Sequence, residues 1–369
     1  MNLGSTPLAN RLMGPIQDHY PDFPLALMRC VSCSHLQLSG TVDPELLYRD
    51  QPYPYLSGQN PSWKAHCEQL VPWWDNFGTP TAIDVASNDG TMLEVMKAKG
   101  YNPVGFEPSS EFNKLHQYRV FNLFFNEEVA KEYASIAGQA TLVVAQNVLG
   151  HVADPVGFLR GIRCLLGSDG LAVVEVPLLD PYCYDTIYHE HLSYWTKQTL
   201  EYAATLAGLY VVHTSLHKVH GLTIRVQLKK AEAIPEPITV KRPNVPDPCI
   251  DEMYRTAFVA LKDLAQQTLR SYQKQGLVVW GYGASAKGNT WLSTLPKGTP
   301  LPIAILDNSP AKQGKYTPHG VPIVAPQDLT DCDRLLILAW NWFDDIKVRA
   351  KALGFKGKYI LTPTMSEHV

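Results

Sequence analysis

The sequence predicts an α/β protein with a central Rossmann-like domain, a second Rossmann-like domain at the C-terminal end and a small irregular module in front. Three observations carry this. TAIDVASNDGTML and GLVVWGYGASAKG each run from a short apolar strand through a Gly-bearing turn into a helix-compatible segment, the opening of a parallel βαβ unit. Further short apolar strands follow each of them. The 369 residues also exceed the roughly 250–300 that a single core organises.

Residues 1 to about 75 hold many Pro, Tyr and isolated polar side chains without a helical period, and form the irregular module. Residues 76 to about 232 form the central domain. There the strands TLVVAQNV, LAVVEVP and LTIRVQLKK join those of TAIDV and VGFEPS. A helix over DPVGFLRGIRCLLGSDG packs Phe158, Leu159, Ile162, Leu165 and Leu166 before a Gly-bearing stop. The later strands read as antiparallel, so the sheet is mixed. PEPITVKRPNVPDP then breaks regular structure. Residues 233–369 are this linker, a long helix over 250–275 and the second α/β unit, with strands in GLVVWGY, PIAILDNSP, VPIVAPQDL and RLLILAWNW.

Composition removes several function classes. A net charge of −3 from 32 basic and 35 acidic side chains gives no field for a nucleic-acid backbone. No run of 18 apolar residues spans a bilayer, and MNLGSTPLANR lacks the basic-then-apolar order of a signal peptide, so neither a membrane nor export is expected and the location is cytoplasmic. Seven scattered cysteines do not read as a disulfide framework.

The first glycine-bearing turn is built for a ligand. Asp84 ends a strand, and Ala86, Ser87, Asn88, Asp89 and Gly90 carry the chain into a helix near Thr91. Such a turn offers backbone N–H groups above the sheet, and Gly90 permits close approach. A dinucleotide would want G-x-G-x-x-G here, whereas this turn places an acid where a pyrophosphate would sit. An adenosyl ligand without phosphate fits better, its amino-acid end on the amides, Asp84 and Asp89. Glu107, ending the next strand, supplies the acceptor for two ribose hydroxyls.

In this order LGSTPLAN, FPLALMRCVSCSHLQL, DPELLYRDQPYPYLSGQ, DVASNDGTML, GFEPS, AQNVLGHVADP, YHEHLSY and WGYGASAKGNT resemble the sugar C-methyltransferases that act on nucleotide-linked 4-keto deoxysugars. The resemblance covers nearly the whole chain. It implies a zinc-binding N-terminal region, a central class I methyltransferase domain, S-adenosylmethionine as donor, methylation at C3 and a nucleoside-diphosphate-linked keto-sugar as substrate. By resemblance Asp84, Asn88, Gly90 and Glu107 are donor-site residues, Asn147 and His151 lie near the reacting sugar, and Tyr188, Glu190 and His191 form the catalytic segment. The family turn opens on a glycine, where this chain has Ala86. The family's upstream Cys-x-x-Cys pair should precede LGSTPLAN, but this sequence begins almost at that landmark. Either an upstream segment is missing or the chain tolerates an incomplete site.

Carbon methylation needs an electron-rich carbon, and a C4 ketone supplies it once the C3 proton is lost. His191 is the expected base, since an imidazole accepts a proton near neutrality. Tyr188 is expected to donate to the C4 oxyanion, Glu190 to orient the site or bind a sugar hydroxyl, and His151 and Asn147 to hold the enolate, substrate or donor. Tyr53 or Tyr55, in YPYLSG, contributes from the front module. Cys30 and Cys33 make half of a tetrahedral thiolate site, and His19, His35, His66 and Cys67 cannot be assigned to complete it. In GYGASAKG the lysine precedes the last glycine, which excludes a phosphate loop. Lys287 is expected to neutralise the sugar nucleotide's diphosphate, with backbone donors near Gly281, Gly283 and Ser285. Two rivals remain: a nicotinamide-dependent sugar-nucleotide oxidoreductase, which lacks its pyrophosphate glycines here, and a non-catalytic sugar-nucleotide-binding protein of the same descent.

Overall fold

The computed structural model describes residues 1–14, 21–50, 56–59, 61–74, 78–109, 115, 117–179, 187–218, 221–233 and 248–369. Tyr53, Tyr55, His19 and most of the Pro-rich linker lie outside the described residues.

The front module is a sheet rather than an irregular region. Strands β1 (Asn2–Thr6), β2 (Phe23–Arg29) and β3 (Leu36–Leu38) are antiparallel, and β9 (Ser193–Tyr194) completes them from the middle of the chain. FPLALMR of β2 does not alternate, β3 and β9 are only three and two residues long, and the last partner is remote in sequence, so no local signal announces the sheet. Helix α1 (Pro44–Tyr48) follows, started by the Asp43 carboxylate accepting from the Glu45 N–H and by Pro44 in its first turn. Helix α2 (Pro61–Leu70) precedes residue 76 but packs with the central domain, where Trp63, Cys67 and Leu70 join the core of its neighbour helix.

The central domain contains β4 (Thr81–Val85), α3 (Thr91–Ala98), β5 (Asn102–Phe106), β6 (Arg119–Phe121), α4 (Glu127–Ala137), β7 (Ala140–Gln146), α5 (Pro155–Leu165), β8 (Leu166–Pro177), α6 (Lys197–Leu206), β10 (Leu209–Lys218) and β11 (Leu222–Lys230). The sheet runs β6-β5-β4-β7-β8-β11-β10, parallel except that β11 is antiparallel to both neighbours. This is the strand order of class I methyltransferases. Helix α5 ends one residue earlier than the sequence indicates, because Leu166 already pairs with Ala140 as the first residue of β8. Strand alternation sorts the two faces. Ile83, Val85, Val143, Ala145, Val174, Ile224 and Val226 meet α4, α5 and α6, while Ala82, Leu142, Val144 and Val173 meet α2 and α3.

The C-terminal domain contains α7 (Pro248–Lys274), β12 (Val279–Tyr282), α8 (Ala286–Thr294), β13 (Ile305–Leu306), β14 (Ile323–Val324), β15 (Arg334–Ile337), α9 (Phe343–Ala352), β16 (Lys358–Leu361) and β17 (Ser366–His368). Its sheet runs β14-β13-β12-β15-β16-β17, with only β17 antiparallel. The four strands expected from sequence are β12 to β15. The closing pair β16 and β17 was not among them.

The front module joins the two larger units. Leu3, Leu12, Leu25 and Leu36 share a core with Trp291 and Leu292 of α8, and Asn289 Nδ2 donates to the Ala9 carbonyl at 2.8 Å. Through β9 the same sheet grips the central domain. Among the described residues no helix is long and apolar enough to cross a membrane.

Candidate active site

The donor turn leaves β4 in a conformation most residues avoid. Ala86 (φ 65°), Asn88 (φ 49°) and Gly90 (φ 82°) are all left-handed, a strained arrangement that for the two non-glycines costs about 1–3 kcal/mol each. Four of the turn's amides are already bonded within the protein, contrary to expectation. Ala86 N–H and Ser87 N–H donate to the Phe106 carbonyl, Gly90 N–H to the Ser87 carbonyl and Asn88 N–H to Glu107 Oε2. The second Glu107 oxygen accepts the Ser109 N–H at 2.9 Å. A carboxylate accepts about four hydrogen bonds, so Glu107 keeps capacity for ribose hydroxyls. Side chains and carbonyls are therefore what the turn presents.

Asp89 faces the front of the chain rather than the crevice. Its carboxylate accepts from Gly58 N–H at 2.6 Å, Ser57 Oγ at 3.0 Å and Thr91 Oγ1 at 2.7 Å, while Asn88 Oδ1 accepts from Ser57 N–H at 2.9 Å. The LSG end of YPYLSG is thus strapped onto the donor turn. A Cβ on Gly58 would run into Thr91 Oγ1, so only glycine fits there. Ser57 and Gly58 were not foreseen as site residues, although the motif containing them was.

Asp84 is buried, and its carboxyl is pushed up to about 8 by burial and by the neighbouring acids Glu107 and Asp89. A buried acid among acids repels a pyrophosphate and favours a ligand carrying positive charge. Ligand-free Asp84 is largely protonated at pH 7, and a cationic donor lowers its pKa. Donor binding is accordingly expected to release protons at pH 7, seen as a dependence of calorimetric enthalpy on buffer ionisation enthalpy. The dependence should fade above about pH 9, where Asp84 is already ionised, and disappear in Asp84→Asn. A buffer-independent enthalpy at pH 7 would refute the assignment.

Asn147 follows β7 at the point where the strand order reverses, beside the crevice between β4 and β7. It too is left-handed (φ 52°), its N–H donates to the Glu175 carbonyl at 2.8 Å, and its buried Oδ1 has no hydrogen-bond partner. Next to it lies a charged group that the sequence reading did not assign. Gln146, Glu175 and Arg225 are in register on β7, β8 and β11, on the face that α2 covers. The Glu175 carboxylate receives Arg225 Nε at 2.5 Å, Gln146 Nε2 at 2.6 Å and His66 Nε2 at 2.9 Å. It is fully buried. An acid and a base inside otherwise apolar strands, VVEVP and TIRVQ, were the available signal.

The YHEHLSY segment is clamped from both sides. Leu192 N–H donates to the Gly150 carbonyl at 2.7 Å, and the Leu192 carbonyl accepts from Leu38 N–H at 2.9 Å. Between these anchors His191 lies beside His151, with ring centroids 4.9 Å apart and nearly perpendicular. Tyr188 Oη is 2.7 Å from His191 Nε2. These two histidines, with Gly150, Leu178, Leu179 and Tyr194, line a small cleft. Burial depresses the His151 imidazole to about 4, so it is neutral at pH 7. On its other side Tyr48 Oη lies 2.9 Å from His151 Nδ1.

Glu190 is not directed at His191. Its Oε1 accepts from Asn10 Nδ2 at 3.0 Å, Oε2 is buried without a partner, and burial pushes the carboxyl up to about 7. It ties the LGSTPLAN segment to the catalytic turn.

In the C-terminal domain the expected diphosphate donors are already used. Gly281 N–H donates to Ala304 O, Gly283 N–H to Leu306 O and Ser285 N–H to Gly283 O. Gly283, at φ 86°, is needed because a Cβ would run into Ala339. Lys287 sits in the first turn of α8 with its ammonium 4.2 Å from the centre of the Trp340 ring. Of the expected set, Lys287 alone presents positive charge.

Cys30 and Cys33 lie together in the β2–β3 turn, and hydrogen bonds from the Ser32 and Cys33 backbone lower the Cys30 thiol. Two thiols are half of a closed zinc set. His35, two residues on, is buried and packs on Trp195 with centroids 4.4 Å apart. Among the described residues no three His, Cys, Asp or Glu side chains gather to hold a metal. The described residues thus supply two thiols of such a site, and His19 lies outside them.

The sheet order and the acid-lined turn define an S-adenosylmethionine-dependent methyltransferase. Three family models match: "Putative zinc binding domain" over residues 1–48, "Methyltransferase domain" over 57–214 and "C-methyltransferase C-terminal domain" over 249–363. The C-methyltransferase NovU of Streptomyces niveus is 30% identical over 391 residues, covering 98% of this chain and 92% of that protein. The chain belongs to this family of C-methyltransferases. Solved structures overlay weakly. The mitomycin 7-O-methyltransferase MmcR has a TM-score of 0.37 and 17% identity over 46% of this chain, which spans only about half (54%) of that one. A Burkholderia thailandensis 1,6-didemethyltoxoflavin-N1-methyltransferase gives 0.37 and 14% identity over 56% of this chain and 99% of its own.

Proposed function

We propose that the chain methylates carbon C3 of a nucleoside-diphosphate-linked 4-keto deoxysugar through an enolate, in the cytoplasm where such sugars and the donor are made. The observation that carries this is that two imidazoles, His191 and His151, line one small cleft at the carboxyl end of the sheet, with the Tyr188 phenol 2.7 Å from His191 Nε2. A proton acceptor and hydrogen-bond donors stand side by side, as an α-proton and its ketone oxygen do on the sugar.

His191 takes the C3 proton, and the C–H electrons move into the C3–C4 bond while the C4 oxygen becomes an oxyanion. Tyr188, whose hydroxyl rests 2.7 Å from His191 Nε2, turns its proton to that oxygen as substrate enters and so frees Nε2 as the base, and neutral His151 donates to the same oxygen, where charge grows in the transition state. S-adenosylmethionine, when bound, would supply an electrophilic methyl group to that carbon and leave as S-adenosylhomocysteine, the C4 oxyanion returning to a ketone as the carbon–carbon bond forms. Asp84, Glu107 and the Asn147 amide are the groups that would hold its cationic and ribose ends. The unpartnered Glu190 oxygen accepts a sugar hydroxyl, and Lys287 faces the diphosphate. Ser57 and Gly58, bound to the donor turn, bring the front module over the cleft, with Tyr53 or Tyr55 two to five residues upstream.

The test is product analysis over TDP-, GDP- and UDP-linked 4-keto sugars, with the new methyl located by NMR. The proposal expects carbon–carbon connectivity next to the ketone with at least one nucleotide. Methyl on oxygen, or transfer to sugars lacking the ketone, would sink it.

A further inference from the structure

Tyr48 lies within DPELLYRDQPYPYLSGQ but has no role in the reaction so far, and its contact with His151 bears on the proposed site. A neutral imidazole has one N–H and one lone pair, so it is a donor at one ring nitrogen and an acceptor at the other. Whichever partner holds Nδ1 decides what Nε2 can do in the cleft.

We infer that Tyr48 is a positioning residue that fixes the Nε2–H tautomer of His151, making this imidazole a hydrogen-bond donor to the substrate's developing oxyanion. Tyr48 Oη lies 2.9 Å from Nδ1, while the same ring stands edge-on to His191 at 4.9 Å and lines the cleft. A phenol is the better donor and an imidazole nitrogen the better acceptor, because the phenol oxygen shares its lone pair with the ring. Tyr48 therefore gives its proton to Nδ1, and the imidazole proton resides on Nε2.

The helix carrying Tyr48 is held for this purpose. Arg49, the next residue, donates through Nε to the Pro108 carbonyl at 2.9 Å and through Nη2 to the Asn122 carbonyl at 3.2 Å, and its guanidinium lies 4.6 Å from the centre of the Phe124 ring. With Asp43 and Pro44 starting α1, the hydroxyl reaches His151 from a helix fixed at both ends. The opposite tautomer would turn an Nε2 lone pair toward the oxyanion and repel it. Burial keeps His151 neutral, so tautomer choice rather than protonation sets its role.

The inference rests on the enolate reading, and its test separates the two. Tyr48→Phe keeps the ring and removes the hydroxyl. Nitrogen-15 spectra of the His151 ring, taken on the full-length chain without sugar, should show Nε2 protonated in the wild type and a tautomer mixture in the variant. With keto-sugar, Tyr48→Phe should lower kcat for methylation about tenfold, as expected for weakening one oxyanion contact, with KM and donor affinity within about twofold. Exchange of the sugar's α-proton with deuterated solvent should slow in parallel. A His151 ring with the same nitrogen protonated in both proteins overturns the inference whatever turnover does, and so does wild-type turnover in Tyr48→Phe. If the wild type methylates without ever exchanging that proton, the enolate reading is what fails, and the ring spectra still decide the tautomer.

Discussion

His191→Ala is expected to leave S-adenosylmethionine affinity unchanged and to reduce sugar methylation by about 10²–10⁴, the range for losing a general base. The donor crevice is formed by β4, β5 and β7 with Asp84, Glu107 and Asn147, whereas His191 meets Tyr188 and His151. Titration calorimetry with the donor should therefore give a wild-type Kd. Loss of the base also stops solvent exchange of the sugar's α-proton without donor, which places the defect before methyl transfer. Tyr188→Phe provides the comparison. It keeps the imidazole but removes one oxyanion donor, so its loss of kcat should be smaller and its exchange slowed rather than stopped. Turnover near wild type in His191→Ala would remove His191 from the mechanism and leave the cleft without its base.

The expectations about architecture and chemistry were legible in different degrees for physical reasons. Strand–turn–helix units are local, so β4 with α3 and β12 with α8 stand out in the sequence. The front sheet is non-local: its fourth strand comes from residues 193–194, beside the catalytic turn. That pairing also explains why YHEHLSY is held so firmly, which composition cannot show. At the donor turn the residue types were informative but their directions were not. Asp84 is buried within reach of the charges of Glu107 and Asp89, whereas the Asp89 carboxylate is engaged by Gly58 N–H and Ser57 Oγ, groups that only the fold brings to it. In GYGASAKG the glycines serve packing against Ile305 and Ala339 rather than a phosphate. Tyr48 lies in the segment DPELLYRDQPYPYLSGQ that carries the resemblance, but nothing in sequence pairs it with His151 until the fold brings the two together.

Glu175→Gln is expected to destabilise the central domain by about 3–5 kcal/mol, the usual cost of breaking a buried ion pair. The variant leaves the nearly buried Arg225 guanidinium with a neutral amide in place of its carboxylate, in a row continuous with the backbone of Asn147. Burial alone would raise the Glu175 carboxyl, but the hydrogen bond and charge of His66, the charge of Arg225 and the Gln146 amide outweigh it and hold the group below its ordinary value. A lowered carboxyl stabilises the fold above the unfolded pKa of about 4.3, and that contribution is lost as pH falls through the folded value. Wild-type protein should thus lose stability below about pH 4 through this group, and Glu175→Gln should lack that component of the slope. Arg225→Met should cost a similar amount alone. The double variant should cost clearly less than the sum, because neither partner is then left charged and unpaired. Urea unfolding monitored by a central-domain probe reads all three. Additive losses would mean that the ion pair contributes no coupling, and that His66 and Gln146 hold Glu175 without Arg225.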